Sequence, residues 1–164
     1  MKVVIFDIDG TLTETNAVDS ECFIQTVREV LGVVEFDTDW RNYQFVTDSG
    51  IAQEISQRHC DRPMSGSVTK AFYKRLFELL EAQPDSAFQE VPGAIRFIKR
   101  LESSPDYAVA FATGAHRDSA RHKLKTAGFD LGELPLASSS DAVVREHIML
   151  KALDLAAQQN NTPL

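Results

Sequence analysis

The sequence is poor in the residues from which several kinds of site are built. Of its 164 residues only two are cysteines, Cys22 and Cys60, in no metal-ligand spacing, and the four histidines are scattered. A zinc centre and a disulfide framework are therefore excluded, and the thiols read as buried or idle groups in a reducing compartment. Basic residues are outnumbered: 17 Lys and Arg against 24 Asp and Glu leave a formal net charge of -7. Such a chain has no basic surface to track a phosphate backbone, which argues against a nucleic-acid partner. Long hydrophobic runs are missing as well. The N-terminal apolar run is cut at Asp7, too early for a signal peptide, and no stretch approaches a membrane span, so the expectation is a soluble cytoplasmic protein with no membrane partner. What remains, 43% hydrophobic and 25% charged residues, suits one compact core or a core plus a small insert. An acidic protein of this kind binds an anionic substrate only with a metal or a local group of cations.

The first dozen residues are the most informative. Val3-Val4-Ile5-Phe6 is an unbroken run of strand-favouring residues, of the kind found at the centre of a parallel sheet covered on both faces. Asp7 and Asp9 follow, two residues apart, so near a strand end both side chains can face one small pocket. Gly10 permits a sharp turn and close approach of a ligand. Two carboxylates this close repel each other unless a cation sits between them or one holds a proton.

Phe6-Asp7-Ile8-Asp9-Gly10-Thr11-Leu12-Thr13 resembles the first motif of the haloacid dehalogenase superfamily of phosphatases and phosphotransferases. The resemblance implies that Asp7 is a nucleophile forming an aspartyl-phosphate, and that Asp9 protonates the leaving oxygen and later activates water. It also implies a Mg2+ ion held by Asp7, by the main-chain carbonyl of Asp9 and by an acid of the superfamily's fourth motif.

Farther along, Asn16 to Leu31 carries apolar residues at helical spacing, with Gly32 as a stop. Glu35 to Thr47 reads as a loop or short helix. Ser49-Gly50 opens a helix through His59, and another is expected from Ser67 to Gln83 with Val68, Phe72, Leu76, Leu79 and Leu80 on one stripe. No strong strand appears between Leu12 and Val91. The division expected is an α/β core of residues 1–14 and 89–164, a Rossmann-like parallel sheet, with an inserted helical cap at 15–88, the place where many members of the superfamily carry one. Arg41, Lys70 and Lys74 are candidates to meet substrate from that insert.

A helix from Ala94 to Leu101 precedes a second apolar strand, Tyr107 to Ala112, which ends in Thr113-Gly114. The superfamily's second motif is a Thr or Ser at this place. Thr113 and Gly114 are thus the expected phosphate-binding pair, aided by N–H groups at the start of the following helix. On that helix Arg117 is the candidate substrate contact, and His116, Arg121, His122, Lys123 and Lys125 read as a solvated basic face. Leu134 to Ser138 reads as a brief third strand, and Val143 to Gln158 as a helix. The third motif, a basic residue near the start of this helix, falls on Arg145, with Lys151 as the alternative.

The fourth motif, an acidic cluster after a further strand, has no counterpart in this sequence. That strand pairs with the first one in the superfamily, so an open edge is expected at Val3 to Phe6. Either the chain is a fragment of a longer protein or a partner copy covers the edge in a homodimer. The resemblance implies Mg-dependent hydrolysis of a small phosphorylated metabolite through an aspartyl-phosphate. The alternatives are a phosphomutase of the same family and a truncated, non-catalytic binding module.

Overall fold

A computed structural model of the chain describes residues 1–130, 132, 133 and 135–160. Three parallel strands form its centre: β1 (Lys2–Phe6), β2 (Tyr107–Ala112) and β3 (Leu136–Ala137), in the order β1-β2-β3. Leu134, expected at the start of the third strand, lies outside the described residues. The pairing Lys2↔Tyr107 through Phe6↔Phe111 brings the ends of β1 and β2 level, and Phe111↔Leu136 does the same for β3. The centre of this sheet is β2, buried over all but its first residue, and not β1, which is only half-buried and has no strand on its outer side among the described residues.

Side chains alternate across the strands as a pleated sheet requires. Val4, Phe6, Val109, Phe111 and Leu136 pack on one face with Ile98 and Leu101 of α4 (Ala94–Glu102) and Leu124 of α5 (Arg117–Thr126). Val3, Ile5, Ala110, Ala112 and Ala137 meet Ile148, Ala152 and Ala156 of α6 (Arg145–Gln159) on the other. The small side chains on that second face let α6 lie close to the sheet.

Between β1 and α4 come three helices: α1 (Asn16–Thr26), continued by a π turn to Leu31, α2 (Asp48–Cys60) and α3 (Gly66–Glu81). Gly32 ends the first with φ of 71°, as its sequence position predicts. The loop expected before α2 holds one short 3-10 turn, Trp40–Asn42. These helices enclose their own apolar cluster, in which Phe72, Leu76, Leu79 and Leu80 of α3 meet Phe23, Val27, Ile51 and Ile55. Among the described residues no helix is long and apolar enough to cross a membrane.

Phe72 is fully buried, with its ring edge-on to Phe23 at 5.3 Å. Phe72→Ala should cost about 3–5 kcal/mol of unfolding free energy, read from the urea midpoint at unchanged slope. A loss below about 1 kcal/mol would mean that the helical cluster repacks freely.

Candidate active site

The level ends of β1 and β2 set Asp7 beside Thr113, and the helical segment closes over them. One cavity of about 140 Å³ is lined by Asp7, Asp9, Thr113, Gly114 and Arg145 from the sheet side, and by Asn16, Trp40, Thr47 and Asp48 among others from the helical side. Asp7 is half-buried; its Oδ1 accepts the Ile8 N–H at 2.9 Å, and Oδ2 lies 3.7 Å from Arg145 Nη1. Burial raises the Asp7 pKa above the usual carboxylate range, against the pull of the Ile8 N–H and of Arg145.

Thr113 is buried, and its Oγ1 accepts the Ala115 N–H at 3.1 Å, which leaves the hydroxyl hydrogen to donate. Gly114 is required by Arg145. A Cβ there would stand 2.7 Å from Arg145 Nη2 and 3.0 Å from the Val46 carbonyl. The guanidinium crosses this gap, donating from Nε to Val46 O at 2.8 Å. Of the two candidates for the basic position, Arg145 therefore reaches the cavity, whereas Lys151 is exposed farther along α6.

Three expectations need correction. Arg117 does not line the cavity: its guanidinium is bonded to Asp141, whose pKa lies below the usual range because that pairing and the Ser138 N–H outweigh its burial. The first N–H groups of α5 are also engaged, His116 N–H by Asp48 Oδ2 at 2.7 Å and Arg117 N–H by Ser140 Oγ at 3.1 Å, so they do not face a bound anion. Lys123 is not solvated but completely buried. Its Nζ bonds Asp9 Oδ1 at 2.7 Å, Asp9 Oδ2 at 2.8 Å and Asp19 Oδ1 at 2.7 Å. Burial works against its charge, yet Asp19, Asp9 and Asp48 together lift its pKa above the usual lysine range.

Asp19 and Asp48 were not foreseen, because each lies on a helix whose docking the sequence does not reveal. Asp48 joins the two parts of the chain, its N–H donating to Gly114 O at 2.8 Å while its side chain holds His116 N–H. Thr47 Oγ1 donates to Val143 O at 2.9 Å, and Tyr73 stacks on His116 at 4.0 Å.

The donors present suit a hard divalent ion in part. Asp7 offers a carboxylate to the cavity, the oxygen chemistry that Mg2+ accepts. The side-chain oxygens of Asp9 are taken by Lys123 and Thr15, which leaves its main-chain carbonyl as the available ligand. Among the described residues no three His, Cys, Asp or Glu gather as a metal cluster.

Asp48 is 8% exposed and has no cation in contact among the described residues; burial, then the charge of Asp19, pushes it up to about 8. The folded protein therefore keeps a proton on Asp48 that the unfolded chain releases near pH 4. Stability from this group is full below that pH and falls as the pH rises toward 8. The wild-type Tm should drop between pH 5 and 8, and Asp48→Asn should flatten the profile and raise stability at pH 8 by ~1 kcal/mol or more. Parallel profiles for the two proteins would show that Asp48 does not carry the proton.

No curated protein matches the chain. Among solved structures, a hydrolase from Pseudomonas syringae superposes with a TM-score of 0.71 at 16% identity, over 99% of this chain and 71% of that one. A protein assigned as a β-phosphoglucomutase from Bacteroides vulgatus gives 0.67 at 17%, over 94% and 63%. CbbY from Rhodobacter sphaeroides in complex with phosphate gives 0.67 at 19%, over 94% and 72%. The chain thus spans 63–72% of the length of these three, and at such identities the likeness is one of fold. The family model described as haloacid dehalogenase-like hydrolase matches residues 1–155. With a match of that extent beside an α/β fold that its structural neighbours share, the chain belongs to the haloacid dehalogenase-like hydrolase family.

Proposed function

We propose that this chain is a Mg-dependent phosphatase acting on a small phosphate monoester. The observation that carries the reading is the meeting of Asp7, Thr113, Gly114 and Arg145 around one cavity of about 140 Å³, room for a phosphoryl group and a few further atoms. An Asp7 oxygen attacks phosphorus and the bond to the leaving oxygen breaks, with Asp9 delivering the proton. The Thr113 hydroxyl and the Arg145 guanidinium hold the equatorial oxygens. Water, losing a proton to Asp9, then attacks the aspartyl-phosphate, which releases inorganic phosphate and restores Asp7. Asp7 and the main-chain carbonyl of Asp9 would hold the Mg2+, whose charge offsets that of the phosphoryl group. Helices α1 to α3 act as a cap that keeps bulk water from the site, and we place the protein in the cytoplasm.

A phosphomutase would share the first half of this reaction and return the phosphoryl group to a hydroxyl of the substrate. The polar lining contributed by Asn16, Ser20 and Asp48 is the observation in its favour, since it offers partners for sugar hydroxyls. Only the phosphatase releases inorganic phosphate.

Phosphate release from a generic aryl phosphate should require added Mg2+, and Asp7→Asn should lower it about a thousandfold while the protein stays folded by circular dichroism. Equal release by the variant refutes the reading. Gly114→Ala should displace the guanidinium and lower kcat/KM about tenfold, a loss that Arg145→Ala in the same background should not deepen.

A further inference from the structure

Completely buried lysines are rare, and one buried against a carboxylate that lines the cavity is a strong constraint. Lys123 reaches both oxygens of Asp9, and Asp19 of α1 holds it from the other side. The remaining partner of Asp9 is Thr15, whose Oγ1 donates to Oδ1 at 2.5 Å. Thr15 in turn accepts from the Thr13 hydroxyl at 2.7 Å, and the Ile8 carbonyl lies 3.4 Å from Thr13 Oγ1. Thr13 and Thr15 are both completely buried. A continuous chain of polar contacts therefore runs from the backbone after β1, through Asp9, to a lysine of α5 and a carboxylate of the first cap helix.

We infer that Lys123 is a positioning residue that fixes the Asp9 carboxyl against the leaving oxygen, with Asp19 as its anchor on the cap side. The inference rests on the phosphatase reading and adds to it a residue from α5 and one from α1. An unrestrained Asp side chain turns about two single bonds. Thr15 alone holds one oxygen, whereas Lys123 touches both and so sets the plane of the group. Proton transfer depends on this placement, because the acid must stand within hydrogen-bond reach of the leaving oxygen. The alternative is that the lysine serves folding only, by neutralising buried carboxylates.

These two roles separate by leaving group. An alkyl phosphate needs the proton from Asp9 as its oxygen departs, whereas 4-nitrophenyl phosphate expels a stable anion and needs it little. The constant kcat/KM covers the steps through cleavage of that bond. Lys123→Met leaves Asp9 and Asp19 without a cation and lowers the Tm. The double variant Asp19→Asn, Lys123→Met removes one of the stranded charges and recovers much of that loss. In the folded double variant, kcat/KM for glycerol phosphate should fall about a hundredfold and that for 4-nitrophenyl phosphate by less than about fivefold. Equal losses on the two substrates, or none on either, overturn the inference and leave the phosphatase reading intact. Wild-type protein that releases no phosphate, or release that survives Asp7→Asn, overturns the phosphatase reading and the inference with it.

Discussion

Everything at the site depends on the in-register pairing of β1 with β2. Five consecutive residue pairs, from Lys2 with Tyr107 to Phe6 with Phe111, bring two segments a hundred residues apart to the same height. Because side chains alternate along a strand, a slip of one residue would turn Val4 and Phe6 away from α4 and α5 and move Asp7 out of line with Thr113. Burial of apolar side chains on both faces of β2 penalises such a slip. The same packing that stabilises the core therefore aligns the Asp7 carboxylate with the Thr113 hydroxyl.

The second constraint is electrostatic. Asp7, Asp9, Asp19 and Asp48 surround a space served by two cations, Arg145 at its edge and Lys123 below it. Carboxylates gathered in this way repel one another, and each is settled differently. Asp9 and Asp19 share the buried lysine, Asp48 is pushed up to about 8, and Asp7 is left facing the cavity with Arg145 at a distance. That division leaves Asp7 as the carboxylate of this group that faces the cavity without a close ion pair. It also ties the helical segment to the sheet, since Asp19 and Asp48 belong to α1 and α2 while Lys123 and Gly114 belong to the core.

Much of this arrangement was legible in the residues. The first strand and its two carboxylates, the strand ending in Thr113-Gly114, and the helices of the insert follow from local runs, spacing and turn residues, and they appear within a few positions of where the pattern puts them. The candidacy of Arg145 follows from the resemblance to the superfamily's third motif, which falls near the start of the last helix. Arg117 was drawn to the site by sequence proximity to Thr113, yet a nearer anion, Asp141, holds it. Lys123 reads as solvated in the sequence because it stands among other basic residues of one helix.

The sequence by itself determined what is local: which segments pair or coil, where the chain must turn, and which carboxylates stand next to each other. Such features depend on neighbours within a few residues, whose geometry is set by the period of the strand or helix. The tertiary structure alone decided the burial of Lys123, the partners of Asp19 and Asp48, and the position of β1 at the sheet edge. Each of these depends on which helix face meets which, at separations of 104 residues for Lys123 with Asp19 and 68 for Asp48 with His116. A charged residue is the same letter in the sequence whether water or two carboxylates hold it, and only the packing of the helical segment against the sheet selects between them.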